Sequence, residues 1–323
     1  MKTETGTDIA LAARLLESHD VVAVPTETVY GLAANALSNK AVLKIFEAKK
    51  RPQFNPLIVH FADGETAFNV AQKVPEVARL LAERFWPGPL TLLLPKKDFI
   101  PHLVTAGSDR VGLRVPAHPL FRQLLQSISF PLAAPSANLF TTISPTTAAH
   151  VRQGLGGRIS YILDGGPSAV GLESTIIGFT AAEEPVLYRA GGLPREAIEA
   201  CLGRSLLLQN KPSEHPVAPG QLRSHYAPAQ PLYFGTDLHA LQQLAGTPEV
   251  AIIRFQEPFS PNFPQFLLSP SGDLKEAARN LFAALHWANS QSVKAILAEA
   301  VPEKGLGIAI NDRLRRASVN FEF

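Results

Sequence analysis

A chain of 323 residues holds about two domains at the usual ~150 residues each, and with 46% hydrophobic and only 18% charged residues it can bury a sizeable core, which excludes a wholly disordered protein. Its 30 Lys and Arg nearly balance 28 Asp and Glu, so the formal charge of +2 excludes a general basic coat for nucleic acid and confines any polyanion site to a local cluster of cations. The single cysteine, Cys201, excludes an intramolecular disulfide and a cysteine-based zinc cluster.

No apolar run approaches the ~18 residues that span a bilayer. The first eighteen residues lack the layout of a signal peptide and predict a short amphipathic helix, so a soluble cytoplasmic protein is expected. Strands are predicted at residues 21–25, 57–61, 90–95, 111–115, 131–134, 161–163, 174–179 and 186–188, where β-branched or Leu-rich runs are bounded by turn residues. Between them, Val42, Leu43, Ile45 and Phe46 predict a helix over 40–48, and Val77, Leu80, Leu81 and Phe85 another over 77–85. This alternation predicts one large α/β domain over residues 1–204, with an open or a mixed sheet. Residues 205–231 are rich in proline without apolar periodicity and predict a stiff linker. Residues 232–323 predict a small second α/β domain. Its strands are expected at 232–234, 250–255 and 293–297, its helix follows the N-cap Asp273, and Gly305-Leu-Gly reads as a plain turn.

The usual anchors of P-loop, zincin and serine-hydrolase chemistry are missing. Polar and cationic residues gather instead beside the predicted strands. PTETVYGL (residues 25–32) places Thr26, Glu27 and Thr28 at a strand's carboxyl end, either as a capped turn or as a ligand contact. Lys49 and Arg51 close a helix just before Pro52, Asn55 and Pro56, which suits either a solvated helix end or a charge held still. His60 ends the next strand. Arg110 and Arg114 share one face of a strand, as an anion-binding pair or as two independent arginines. Ser136 and Asn138 lie in APSAN, and Ser144 is expected to cap a helix with Pro145 at its first position, which also exposes N–H groups to a phosphate. Ser174 heads a strand, Arg189 ends one, and the His225-Tyr226 pair sits within the linker. Five cations (Lys49, Arg51, Arg110, Arg114 and Arg189) surrounded by hydroxyls and amides fit a substrate with several negative charges, stabilised electrostatically.

At PTETVYGL, the Lys-x-Arg-Pro with NPLIVH, WPGPLT, VGLRVPAHP, APSAN followed by SPT, DGG, ESTI and APG…HYAP, the chain closely resembles the YrdC-like L-threonylcarbamoyladenylate synthases of the two-domain branch. The resemblance runs from Asp8 to about Arg316. It implies a twisted mixed-sheet α/β domain, a linker crossing the active site and a smaller Rossmann-like α/β domain. The implied reaction joins L-threonine, bicarbonate or CO2, and ATP into threonylcarbamoyl-AMP and pyrophosphate, for transfer to tRNA by downstream machinery. The resemblance further implies that Thr28, His60, Arg114, Ser174 and the backbone of Ala134 hold threonine. Lys49, Arg51, Asn55, Arg110, Ser136, Asn138, Ser144, Arg189 and Tyr226 would hold ATP, with Lys49 and Arg51 as the catalytic cations. Mg2+ is expected to arrive on ATP, with no metal held by the protein. Two rival readings are an RNA-binding module without chemistry and a carbamoyl-transfer enzyme of the hydrogenase-maturation type. The first conflicts with 8% aromatic content and near-neutral charge, and the second needs acylphosphatase and zinc-finger segments that this chain lacks.

Overall fold

The computed structural model describes residues 2–209 and 225–319. The chain divides into two compact units: Met1–Phe140, Pro145–Ala169 and Glu173–Leu222 form the first, and Thr141–Ser144, Val170–Leu172 and Arg223–Phe323 the second. Most of the predicted linker, residues 210–224, lies outside the described residues.

The first unit is built on a sheet of β1 (Glu4–Gly6), β2 (Val22–Val24), β3 (Gly31–Asn35), β4 (Ile58–His60), β5 (Leu90–Pro95), β6 (Arg110–Arg114), β7 (Leu132–Ala133), β8 (Tyr161–Leu163), β9 (Thr175–Phe179), β10 (Pro185–Arg189) and β11 (Leu207–Leu208). Their spatial order is β1-β8-β2-β3-β7-β4-β6-β5-β9-β10-β11. The sheet is mixed: β4 runs parallel to β6 and β5 to β9, whereas β5 and β6, and β9 and β10, are antiparallel. Helices α1 (Ile9–Glu17), α2 (Asn39–Lys49), α3 (Gly64–Phe68), α4 (Glu76–Phe85), α5 (His102–Thr105), α6 (Pro119–Ser127), α7 (Ala148–Leu155) and α8 (Arg195–Leu202) complete the unit. Side chains alternate across a strand, and here both faces are buried. Ala23 of β2 joins the core of Ile45 and Phe46 from α2, while its neighbours Val22 and Val24 pack with Leu16 of α1 and Phe121 of α6.

Three local expectations are corrected over residues 2–209. The N-terminal segment is not one helix: Glu4–Gly6 pairs in parallel with Tyr161–Leu163, and the helix begins only after Asp8, whose carboxylate accepts from Leu11 N. Ser144 does not cap a helix. The cap is Thr147, whose side chain accepts from His150 N, so α7 starts at Ala148 and no helix start is offered at Ser144-Pro145. The linker expected from residue 205 begins as structure, since Leu207–Leu208 pairs in parallel with Val186–Leu187 of β10.

The second unit carries a fully parallel sheet of β12 (Leu232–Gly235), β13 (Val250–Arg254), β14 (Gln265–Leu267) and β15 (Ala295–Glu299) in the order β12-β15-β13-β14. It also contains α9 (Leu238–Ala245), α10 (Leu274–Asn289) and α11 (Leu306–Ala317). Leu238 and Leu241 of α9 pack on Val250, Ile252, Ala295 and Leu297, which explains why these strands read as continuous apolar runs. Asp273 caps α10 as expected. Gly305-Leu-Gly is not a plain turn: Gly305, at φ 53°, is the N-cap of α11.

Candidate active site

The turn between β2 and β3 is the capped turn that its sequence allowed. Thr26 caps it, with Oγ1 donating to Val29 O at 2.7 Å and accepting from Thr28 N and Val29 N at 3.1 and 3.2 Å. Thr28 Oγ1 is thereby left to accept from Arg114 Nη2 at 3.0 Å. Arg114 ends β6 beside His60, which ends β4 in register with it. Burial and the Arg114 charge push His60 down to about 3, so its ring is a neutral imidazole. His60 Nδ1 is buried without a hydrogen bond of ordinary geometry.

Lys49, the last residue of α2, is buried. Its Nζ donates to Ser136 O and Asn138 O at 2.5 Å each, with Asn138 Oδ1 at 3.4 Å. Burial and the neighbouring Arg51 push Lys49 well below the usual lysine range, while three acceptor oxygens match the three hydrogens of its ammonium. Lys49 therefore fastens the 134–138 loop, and Ser136 also bridges to Gly31 of β3. Within that loop Ala134 N donates to Ile58 O at 3.0 Å, which leaves only its carbonyl for a ligand. Arg51 donates to Asn55 O (3.3 Å) and Pro56 O (2.9 Å), and its guanidinium carbon lies 5.9 Å from the Phe140 ring centre. Asn55 is 1% exposed, and both its Oδ1 and its Nδ2 are buried without a partner. A buried carboxamide with no bond on either side costs several kcal/mol in the absence of a ligand or water.

Ser174 precedes β9 and does not follow a strand. The antiparallel neighbours of a mixed sheet bring strand starts and strand ends together, so the cluster draws on both. Ser174 Oγ lies 2.7 Å from Thr91 Oγ1, and Arg189 at the end of β10 donates to Ser174 O at 2.9 Å and to its Oγ at 3.2 Å. A side chain at Gly191 would collide with Glu173 O and Ser174 C, so glycine is needed for the chain to return this close.

Thr28, Lys49, Arg51, Asn55, His60, Arg114, Ala134, Ser136, Asn138, Ser174 and Arg189 are thus all in the first unit, linked through shared loops and adjacent strands. Arg110 is not brought to them. It begins β6, four residues or ~13 Å from Arg114 at ordinary strand rise. Its Nη1 donates to Phe179 O, at the far end of β9 from Ser174, so the expected pair of arginines is replaced by two separate environments. Ser144 and Tyr226 belong to the second unit. Ser144 is buried with its carbonyl 3.2 Å from His286 Nε2, and Tyr226 packs on Phe282 with ring centres 5.5 Å apart. Sequence reasoning missed Thr91 as a buried contributor, and it singled out Glu27 without its partners. Thr91 reads as one more residue of an apolar strand, and the partners of Glu27 are 87 and 90 positions away.

Residues 14–191 match the Sua5/YciO/YrdC family model, described as telomere recombination, and residues 193–319 match the model of the threonylcarbamoyl-AMP synthase C-terminal domain. The chain is 43% identical to the threonylcarbamoyl-AMP synthase of Pyrococcus abyssi over 96% of its length and 94% of that protein's. To the synthase of Bacillus subtilis it is also 43% identical, with 96% and 92% covered. Among solved structures, a crystal structure of P. abyssi Sua5 complexed with L-threonine matches at a TM-score of 0.89 and 41% identity, covering 98% of this chain and 97% of that one. Full-length HypF matches at a TM-score of 0.51 and 22% identity over 58% of this chain, a likeness of fold alone. Two family models in tandem, near-complete coverage by the relatives and the cluster built around PTETVYGL and APSAN agree: the chain belongs to the two-domain, YrdC-like Sua5 family of threonylcarbamoyl-AMP synthases.

Proposed function

We propose that this chain joins L-threonine, bicarbonate or CO2, and ATP into threonylcarbamoyl-AMP and pyrophosphate, for a later transfer to tRNA. The observation that carries this reading is the concentration of buried cations in the first unit (Lys49, Arg51, Arg114 and Arg189, each 8% exposed or less), with the unpartnered carboxamide of Asn55 beside Arg51. Two anions must meet in such a reaction. The threonine amine and CO2 give N-carboxythreonine with loss of a proton, and one carbamate oxygen then attacks the α-phosphorus of ATP as pyrophosphate leaves. Fixed cations lower the cost of that encounter before any acid–base group is needed.

In this reading Arg114 receives the threonine carboxylate, the Ala134 carbonyl and Thr28 hydroxyl receive its polar hydrogens, and Ser174 closes the pocket. Arg51, Asn55, Ser136 and Asn138 meet the nucleotide. Lys49 holds the loop that presents the last two, and an arriving triphosphate favours its charged form. His60, uncharged, adds no competing positive charge beside Arg114. The described residues bring no group of three or more His, Cys, Asp or Glu together. Mg2+ is proposed to travel on the triphosphate, held mainly by phosphate oxygens. Ser144 and Tyr226 remain proposed nucleotide contacts with no geometry attached, whereas Arg110, held on Phe179 O, is not proposed as one.

Pyrophosphate release, measured with ATP, threonine and bicarbonate together and with each omitted in turn, tests the reading. Release must require all three, and release without threonine or without bicarbonate rejects it. Loss of the substrate hydroxyl in 2-aminobutyrate is expected to cost up to ~10,000-fold in kcat/KM, and loss of the methyl in serine only about 10–200-fold.

A further inference from the structure

Arg114 offers a guanidinium with three of its five N–H donors used within the protein. Nη2 gives its two hydrogens to Glu27 Oε1 at 2.6 Å and Thr28 Oγ1 at 3.0 Å, and Nε gives its one to Gly88 O at 3.3 Å. The hydrogens of Nη1 are left for a ligand. Glu27 is itself held from behind, because its second oxygen, Oε2, accepts from Ala117 N at 3.1 Å. The ion pair is buried, with side-chain exposures of 5% for Arg114 and 10% for Glu27.

We propose that Glu27 is a positioning residue for threonine: anchored on the Ala117 backbone, it fixes the Arg114 guanidinium so that the Nη1 edge faces the amino-acid carboxylate. An arginine side chain has considerable rotamer entropy to lose. Holding it in place before the substrate arrives removes that loss from binding. The pairing also sets the charge of the pocket. Guanidinium and carboxylate together are neutral, as threonine is when it enters as a zwitterion, so its carboxylate meets Arg114 while its ammonium meets no uncompensated positive charge. Glutamine cannot replace Glu27. In either orientation its amide sets an N–H against another donor, the Ala117 N–H or the guanidinium.

This inference rests on the reading that Arg114 receives the threonine carboxylate, and the test separates the two. The full-length chain, Glu27→Gln and Glu27→Asp are compared in pyrophosphate release and in calorimetric binding of L-threonine and of L-threoninol, which lacks the carboxylate. Glu27→Gln is expected to raise the KM for threonine about tenfold or more. The KM for ATP should stay within about twofold and kcat at saturating threonine within about threefold. The preference for threonine over threoninol should collapse in Glu27→Gln. It should be partly retained in Glu27→Asp, which keeps the charge but loses reach to Ala117. A wild-type protein that does not prefer threonine to threoninol overturns the role of Arg114. A preference that survives in both variants, a threonine KM within twofold of wild type, or parallel rises in both KM values overturn only the role of Glu27. Both variants are checked by urea unfolding, and failure of both to fold also overturns it, in favour of a purely structural ion pair.

Discussion

The candidate-site cations of the first unit and the arginines of the second are held in different ways, although the first unit also has carboxylate-paired cations such as Lys44 and Lys73 away from the site. In the first, Lys49, Arg51 and Arg189 donate to the backbone carbonyls of Ser136, Asn138, Asn55, Pro56 and Ser174. In the second, Arg254 meets Glu299, Arg316 meets Asp312 and Arg315 meets Glu303. A carbonyl dipole satisfies a cation's hydrogen bonds without cancelling its charge, whereas a carboxylate cancels it. The first arrangement preserves a positive field that an incoming anion can use, and the second spends its charge on cohesion. Arg114 stands between the two cases, since Glu27 neutralises it where the proposed substrate group is only singly charged.

The sharpest way to break this contrast is Arg51→Ala. Losing one preorganised donor is worth about 2.7–4 kcal/mol in the barrier, so turnover should fall by ~100-fold or more in pyrophosphate release. Arg254→Ala, which removes an ion pair from the second unit, should leave turnover within about threefold. Equal losses would show that the carbonyl-held cations have no special part. Next in size is Asn311→Ala. Asn311 is fully buried, with Oδ1 accepting from Val301 N and Nδ2 donating to Val301 O, so its truncation orphans two backbone groups. A loss of about 2–3 kcal/mol in urea unfolding is expected.

His60 sharpens the comparison through pH. Its folded value of about 3 lies below the ~6.5 of an unfolded histidine, so between these values the unfolded chain binds a proton that the folded one refuses. Stability therefore falls as pH drops from ~6.5 toward 3, by about 1.4 kcal/mol per unit from this group alone, and is unaffected by it above that window. His60→Gln should flatten this part of the acid limb in urea titrations at several pH values. The smallest effect belongs to Lys50, an exposed helix C-cap at φ 51°. Lys50→Gly should stabilise by about 1 kcal/mol or less, by relieving a left-handed backbone, and should change turnover less than about twofold.

What could be read from the sequence follows from how local its cause is. β5 and β8 were legible to the residue, because Leu-rich or β-branched runs between turn residues carry their own signal. β3 was not: Gly-Leu-Ala-Ala-Asn has little strand propensity and is a strand because β2 and β7 flank it. β1 is three mostly polar residues defined by a partner over 150 positions away. The same division runs through the site. The types and spacing of Lys49, Arg51, Asn55 and Arg114 stood out, whereas the clasp of Lys49 on the 134–138 loop and of Glu27 on Ala117 arise only when distant segments meet.

The sheet order has a consequence for synthesis on the ribosome. Glu4–Gly6 cannot find its place until Tyr161–Leu163 has emerged, and Ser174 and Arg189 arrive with strands made later still. A nascent chain halted before position 189 therefore has its early cations but lacks Arg189 and the strand that carries it.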